Sequence, residues 1–218
     1  MTGRAPLADF LTAVRRLLAA AEGAAAPDAA VETARLAAVL SSIAAGTGDV
    51  RLAPAAGLGV CRWWDAALDG ASAGPAASVA DALRAHGPHL IWTQNPNYRR
   101  RPPDAGFLDN YGYAVIAGPA QAASPPLVVE HRLAMGVLLL GPGTHYPLHA
   151  HPAAELYLAL GAGDWWRDAG PWRREAAGAL IHHPPHMPHA LRAGPAPLLA
   201  VYLWRGDLAT AARLVGAD

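Results

Sequence analysis

Apolar residues recur at helical spacing from the start of the chain. Leu7, Phe10, Leu11, Val14, Leu17 and Leu18 form one stripe, and Arg15 and Arg16 fall on the other side. Gly23 and Pro27 punctuate this helix. Asp28 is placed to cap a second helix, whose stripe is Leu36, Val39, Leu40 and Ile43 and which Gly46 and Gly48 close. The stretch from Gly57 to Ala77 follows neither period, although Trp63 and Trp64 have the bulk of packing residues. Ser78 is placed to cap a third helix running through Val79 and Leu83 to Gly87. Such narrow stripes read as faces that pack on a core.

From about Ile91 the period changes. Apolar runs shorten to strand length at Tyr111–Ile116, Leu127–Val129, Val137–Leu140, Glu155–Leu160 and Leu198–Trp204. Turn signals separate them: Gly118-Pro119, Ser124-Pro125, Gly141-Pro142-Gly143, Gly161 to Gly163, and Gly194-Pro195. Short strands at this spacing predict a sandwich or barrel. The chain therefore divides into a helical segment, residues 1–90, and a β-rich part, residues 91–218, with only short punctuation between them. The helical stripes need a partner surface, so the two parts are expected to pack together.

Composition narrows the function classes. Hydrophobic residues make up 53% of the chain, enough for a sizeable core. Lys+Arg and Asp+Glu number 17 each, so no net charge draws the protein to nucleic acid or an anionic membrane. Arg99-Arg100-Arg101 is a short basic run, read as a solvated loop. Cys61 is the single cysteine, which excludes an intramolecular disulfide and fits a reducing compartment. Asp9, Arg15 and Arg16 interrupt the first apolar segment as a signal peptide, and no uncharged apolar run reaches a bilayer span of roughly 18 residues. A cytoplasmic location is expected.

Histidine carries the candidate chemistry. Of the chain's 10 histidines, those at 145, 149, 151, 182, 183, 186 and 189 crowd into the second half. His149 and His151 are two apart, so an extended segment would turn both to one face; Glu155 and Tyr157 repeat that spacing. Pro152-Ala153-Ala154 between the pairs can turn the chain and bring them together. His182, His183, His186 or His189 could supply a further imidazole, or a donor that orients a ligand. Imidazole nitrogens with a carboxylate suit one divalent transition metal: Zn, Fe, Mn, Co or Ni.

These residues resemble the cupin superfamily. Gly143, His149, His151, Glu155 and Gly161 match its first motif, with the last interval one residue short. Gly178, Pro184 and His189 match the second, with His186 where a Gly is usual. The fold implied is mainly β: a small antiparallel barrel, here preceded by an α-helical segment. A narrower resemblance is to the cupin-type dimethylsulfoniopropionate (DMSP) lyases. It is carried by Tyr146-Pro-x-His149-x-His151-Pro-Ala-x-Glu155-x-Tyr157, by Pro188-His189-Ala190, and upstream by Asn110-Tyr111-Gly112-Tyr113 with Gly118-Pro119.

That resemblance implies His151, Glu155 and His189 as metal ligands, with Tyr157 at or near the metal. It implies Tyr146, His149 and Trp204 as lining of the substrate pocket. The reaction implied is a β-elimination that releases dimethyl sulfide and acrylate, with Tyr157 as the base and Tyr146 beside it. Trp165, Trp166 and Trp172 could reshape the pocket. Two other readings use the same ligands: a cupin dioxygenase or isomerase, and a metal-binding sensor without catalysis. No nucleic-acid module is visible; the expected partner is a small molecule, and a homodimer is expected by analogy alone.

Overall fold

The computed structural model describes residues 4–22, 27–45, 50–51, 57–122 and 124–216. Four helices of the first half are α1 (Arg4–Glu22), α2 (Pro27–Ala45), α3 (Trp64–Ser72) and α4 (Ala77–His86). The α1 stripe is buried as its period predicts, from Leu7 through Leu18. Helix α2 begins at Pro27, one residue ahead of the expected cap Asp28; Pro at the first helical position has no N–H to leave unpaired. The expected closure at Gly46 and Gly48, and the break at Gly23, lie outside the described residues. Helix α3 arises in the stretch without a period, because its buried face is Ala67, Leu68 and Ala71, mostly too small to mark one. Ser78 does not cap α4: the helix starts one residue earlier, and its cap, Ala76, has no side chain to bond.

The basic run also differs from expectation. Arg99 and Arg100 end a short helix, α5 (Pro96–Arg100), rather than lying in a loop. Asn95 explains it: its side chain accepts from the Asn97 N–H, and Pro96 follows at the first position.

The strands are β1 (Trp92–Thr93), β2 (Tyr111–Gly118), β3 (Val128–Val129), β4 (Ala134–Leu140), β5 (His145–Ala150), β6 (Ala154–Ala159), β7 (Gly163–Arg167), β8 (Arg173–Glu175), β9 (Leu180–His183), β10 (His189–Ala193), β11 (Leu198–Arg205) and β12 (Arg213–Leu214). One sheet runs β1-β2-β4-β11-β6-β9, with β3 beside β2; the other runs β12-β5-β10-β7-β8. All pairings are antiparallel except β2 with β3. This is the small antiparallel barrel with a helical preface.

Side-chain alternation makes two cores from the first sheet. Leu156 and Leu158 of β6 and Leu199, Val201 and Leu203 of β11 face outward and join the buried residues of α1, α2, α3 and α4. Tyr157, Ala159, Ala200 and Tyr202 face inward and join Leu191 and Trp165 of the second sheet. Every residue of β6 is buried as a result, Glu155 included. Helices α1 and α2 lie against β9, α2 against β6, and α3 against β11.

Because the helices cover the outer face of the sheet, limited proteolysis is expected to release no stable helical fragment ending near Gly87. Two independently folded pieces on the gel would refute a shared core. Among the described residues, no helix is long and apolar enough to cross a membrane.

Candidate metal centre and cavity

The two sheets contribute different donors. Glu155 lies on β6, opposite His183 of β9 on one side and Trp204 of β11 on the other. His149 of β5 pairs with His189 of β10 in the second sheet. His151 follows β5 in the bend leading to β6, where Pro152 turns the chain from one sheet to the other. The carboxylate and the imidazoles therefore meet in the barrel interior.

One ligand atom from each of His151, Glu155 and His189 lies within 4.8 Å of the others, and all three residues are buried. His151 Nε2 is 3.1 Å from Glu155 Oε2, and His189 Nε2 is 3.2 Å from the same oxygen. The opposite nitrogens settle the tautomers. His151 Nδ1 is 3.0 Å from the Ala153 carbonyl, His189 Nδ1 is 2.8 Å from that of Met187, and His149 Nδ1 is 2.8 Å from that of Pro147. A carbonyl only accepts, so each Nδ1 carries a proton, and Nε2 is the nitrogen left to bind a metal. The buried Nε2 of His189 has no hydrogen-bond partner among the described residues. An orphaned imidazole nitrogen, aimed at a second one and a carboxylate oxygen, fits a divalent transition metal.

Electrostatics match this arrangement. Burial alone would raise the Glu155 carboxyl, but His151 first, with His183 and His189 close by, holds it well below the usual range. Burial drives His149 well below an ordinary imidazole, and His189 adds to that. Burial also takes His183 down to about 3. These two rings are neutral at physiological pH. Burial raises Tyr157 well above an ordinary phenol, and the neighbouring Glu155 charge raises it further.

Beside the triad is a cavity of about 640 Å³. Six aromatic side chains line it: Tyr111, Tyr113, Tyr146, Tyr157, Tyr202 and Trp204. Glu155 lies in its wall, and residues 206–212 form part of its rim. No arginine is among the lining residues, and the chain has no lysine.

The expected site residues fall in two groups. Tyr146, Glu155, Tyr157 and Trp204 line the cavity; His149, His151 and His189 are not among its lining residues. His149 instead lies flat against Tyr146, with ring centroids 3.9 Å apart, and edge-on to His189 at 4.1 Å. Tyr146 donates from its hydroxyl to that of Tyr98 at 3.2 Å. Of the second histidine group, His183 reaches Glu155 Oε2 at 3.4 Å and stacks on His189 at 3.9 Å. His186 adopts φ 63° in the turn before β10, the left-handed conformation that explains a Gly at this place in the motif. Trp165 packs on Tyr157 at 5.0 Å, whereas Trp172 lies under the Arg192 guanidinium at 3.9 Å.

Tyr111, Tyr113 and Tyr202 line the cavity in addition to the residues that the motifs imply. A signal existed: Tyr111-x-Tyr113 and Tyr202-x-Trp204 have the spacing that puts each pair on one strand face. Gly136 shows how closely Tyr202 is seated. A Cβ there would collide with the Ala114 carbonyl oxygen of β2 and stand 2.6 Å from the Tyr202 hydroxyl oxygen, so only glycine leaves room.

The profile of the DMSP lyase family matches residues 31–200. The DMSP lyase DddQ of Ruegeria pomeroyi is 35% identical over 137 residues, 62% of this chain and 64% of that protein. The putative DMSP lyase DddL of Cereibacter sphaeroides is 30% identical over 142 residues, 65% of this chain and 56% of that protein. The matched stretch thus spans less than two thirds of either relative. Among solved structures, a chain from the crystal structures of the DMSP lyases RdDddP and RnDddQII superposes with a TM-score of 0.70 at 26% identity, covering 98% of this chain and 100% of that one. Crystalline DddQ from Ruegeria pomeroyi superposes with a TM-score of 0.61 at 28% identity, covering 86% and 94%.

Proposed function

Because the chain belongs to the dimethylsulfoniopropionate lyase family, we propose that it cleaves DMSP to dimethyl sulfide and acrylate by β-elimination. One observation carries the reading: an aromatic cavity without arginine or lysine has Glu155 of the candidate metal centre in its wall. DMSP bears a sulfonium cation at one end and a carboxylate at the other. The aromatic faces suit the cation, at roughly 0.5–2 kcal/mol for each good contact. A carboxylate finds no arginine or lysine in that wall, so a divalent metal on His151, Glu155 and His189 would be its electrostatic partner, and as a Lewis acid would make the α proton easier to remove.

The chain's own residues do the rest. Tyr157 removes the α proton; the electron pair left behind forms the carbon–carbon double bond as the C–S bond breaks. Dimethyl sulfide leaves neutral with that bond's electrons, so no redox partner is required. The phenol of Tyr157 is raised by burial and by Glu155, and only a nearby cation reverses that trend. Tyr146, tied to Tyr98, holds the aromatic wall.

The test is a headspace assay for dimethyl sulfide on adding DMSP to metal-analysed protein, with acrylate measured in parallel. Equal molar yields of both, with no O₂ consumed, are expected. Metal-loaded protein that produces neither would sink the assignment. Uptake of O₂ would move the reading to an iron-dependent oxygenase.

A further inference from the structure

Glu155 has two oxygens, and they have different neighbours. Oε2 faces His151, His183 and His189, while Oε1 accepts a 2.6 Å hydrogen bond from the Trp204 indole N–H. The same indole lies on the His151 ring, with centroids 4.1 Å apart and planes 30° from parallel. Trp204 therefore touches two of the three candidate ligands while also lining the cavity. It occupies one carboxylate oxygen and leaves the other free for a metal.

The next residue faces the opposite way. Arg205 ends β11, and alternation points its side chain out of the barrel towards the helices. There it meets Glu32 of α2 through two bonds, Nε to Oε1 at 2.5 Å and Nη2 to Oε2 at 2.8 Å. Glu32 is 4% exposed, an acidic residue on an otherwise apolar packing face. Arg35 is the other cation near it, at 3.6 Å, and His182 adds a weaker attraction. A bidentate Arg–carboxylate pair fixes direction as well as distance. Immediately after Arg205 the chain turns at Gly206, φ 100°, into the cavity rim. The clamp thus holds β11 where the metal carboxylate's partner, Trp204, and the rim segment meet.

We propose that the helical part positions the metal centre: the Glu32–Arg205 clamp fixes Trp204, and Trp204 holds Glu155 with Oε2 presented to the metal. Trp204 and Glu32 are positioning residues in this scheme. The inference rests on the metal-site reading given above, and the test separates the two.

The full-length protein is stripped of metal and titrated with Zn²⁺ against a chelating dye, well below its Tm. Trp204→Phe keeps an aromatic ring over His151 and loses the N–H; its Zn²⁺ Kd is expected to rise roughly 10–100-fold, the usual cost of losing an outer partner of a ligand. Its Co²⁺ form should show an altered visible spectrum, because Oε1 becomes free to bind. Glu32→Gln is expected to raise Kd by a smaller factor, on the order of 3–10-fold, since it acts one step further out. Arg205→Lys, which keeps the charge but loses the fork, should fall between wild type and Glu32→Gln, and it serves if Glu32→Gln fails to fold. The double variant should bind no more weakly than Trp204→Phe, because both changes break one chain of contacts.

Leu36→Ala is the control, a buried cut one turn along the same helix that leaves both clamp side chains in place. It should lower Tm and leave Kd unchanged. Wild-type protein that binds no Zn²⁺ overturns the metal-site reading itself, and the proposal with it. Wild-type binding with an unchanged Kd in Trp204→Phe overturns the proposal alone. So does a Leu36→Ala Kd as weak as that of Glu32→Gln, or full additivity in the double variant.

Discussion

Tyr157→Phe is expected to keep its fold and its metal and to lose roughly 10²–10⁴-fold in turnover, the usual contribution of a positioned general base. The ring is held by neighbours that the substitution leaves alone. Trp165 packs on it at 5.0 Å and His183 meets it edge-on at 5.8 Å. Only the oxygen is removed, so the volume barely changes. Glu155 loses the Tyr157 hydroxyl as a neighbour but keeps His151 and Trp204. The loss should appear in kcat, because proton removal belongs to the transition state. Tyr146→Phe is the comparison. Its hydroxyl is committed to Tyr98 and its ring to the wall, so its removal should raise KM more than it lowers kcat. Both variants must be assayed at equal metal occupancy, or a lost metal would imitate a lost base. Near-normal kcat in metal-loaded Tyr157→Phe would remove Tyr157 from the role and turn attention to Tyr146, then to the neutral His149.

His189→Ala should abolish stoichiometric metal binding and take the activity with it. Wild-type protein is expected to hold one divalent metal per chain by elemental analysis, and the variant close to none. The reason is geometric. His189 is fully buried, its Nδ1 is fixed by the Met187 carbonyl, and its Nε2 has no hydrogen-bond partner among the described residues and faces Glu155 Oε2 at 3.2 Å. His183 stacks on it with Nδ1 directed at Glu155, but it is not in the close donor group of His151, Glu155 and His189. Full metal occupancy in His189→Ala would mean that another set of donors binds the ion. His149 or His183 with Glu155 would then be the set to examine. A variant that loses metal but still releases dimethyl sulfide would separate the chemistry from the metal altogether.

Local pattern alone determined a good deal. The α1 stripe, the strands around Tyr111, Glu155 and Leu198, and the His-x-His and Glu-x-Tyr spacings are all short-range features. Periods of 3.6 and 2 show wherever one face of an element is apolar. The family resemblance also came from contiguous residues, chiefly Tyr146 to Tyr157. What failed locally failed for physical reasons: α3 has a packing face made largely of alanine, and α5 depends on a cap at Asn95 rather than on any stripe.

Tertiary structure decided the rest. In β11 both faces are apolar, so no period told which one looks into the barrel; the helices settled it by covering Leu199, Val201 and Leu203 and leaving Ala200 and Tyr202 inside. Choosing among four clustered histidines needed the pairing of β9 with β6 and of β10 with β5. That register sets His183 beside Glu155 and brings His189 Nε2 to the same carboxylate oxygen. The link from Glu32 to Arg205 joins residues 173 positions apart. Such a contact has no trace in local spacing, because it exists only when a helix from one end of the chain packs on a strand from the other.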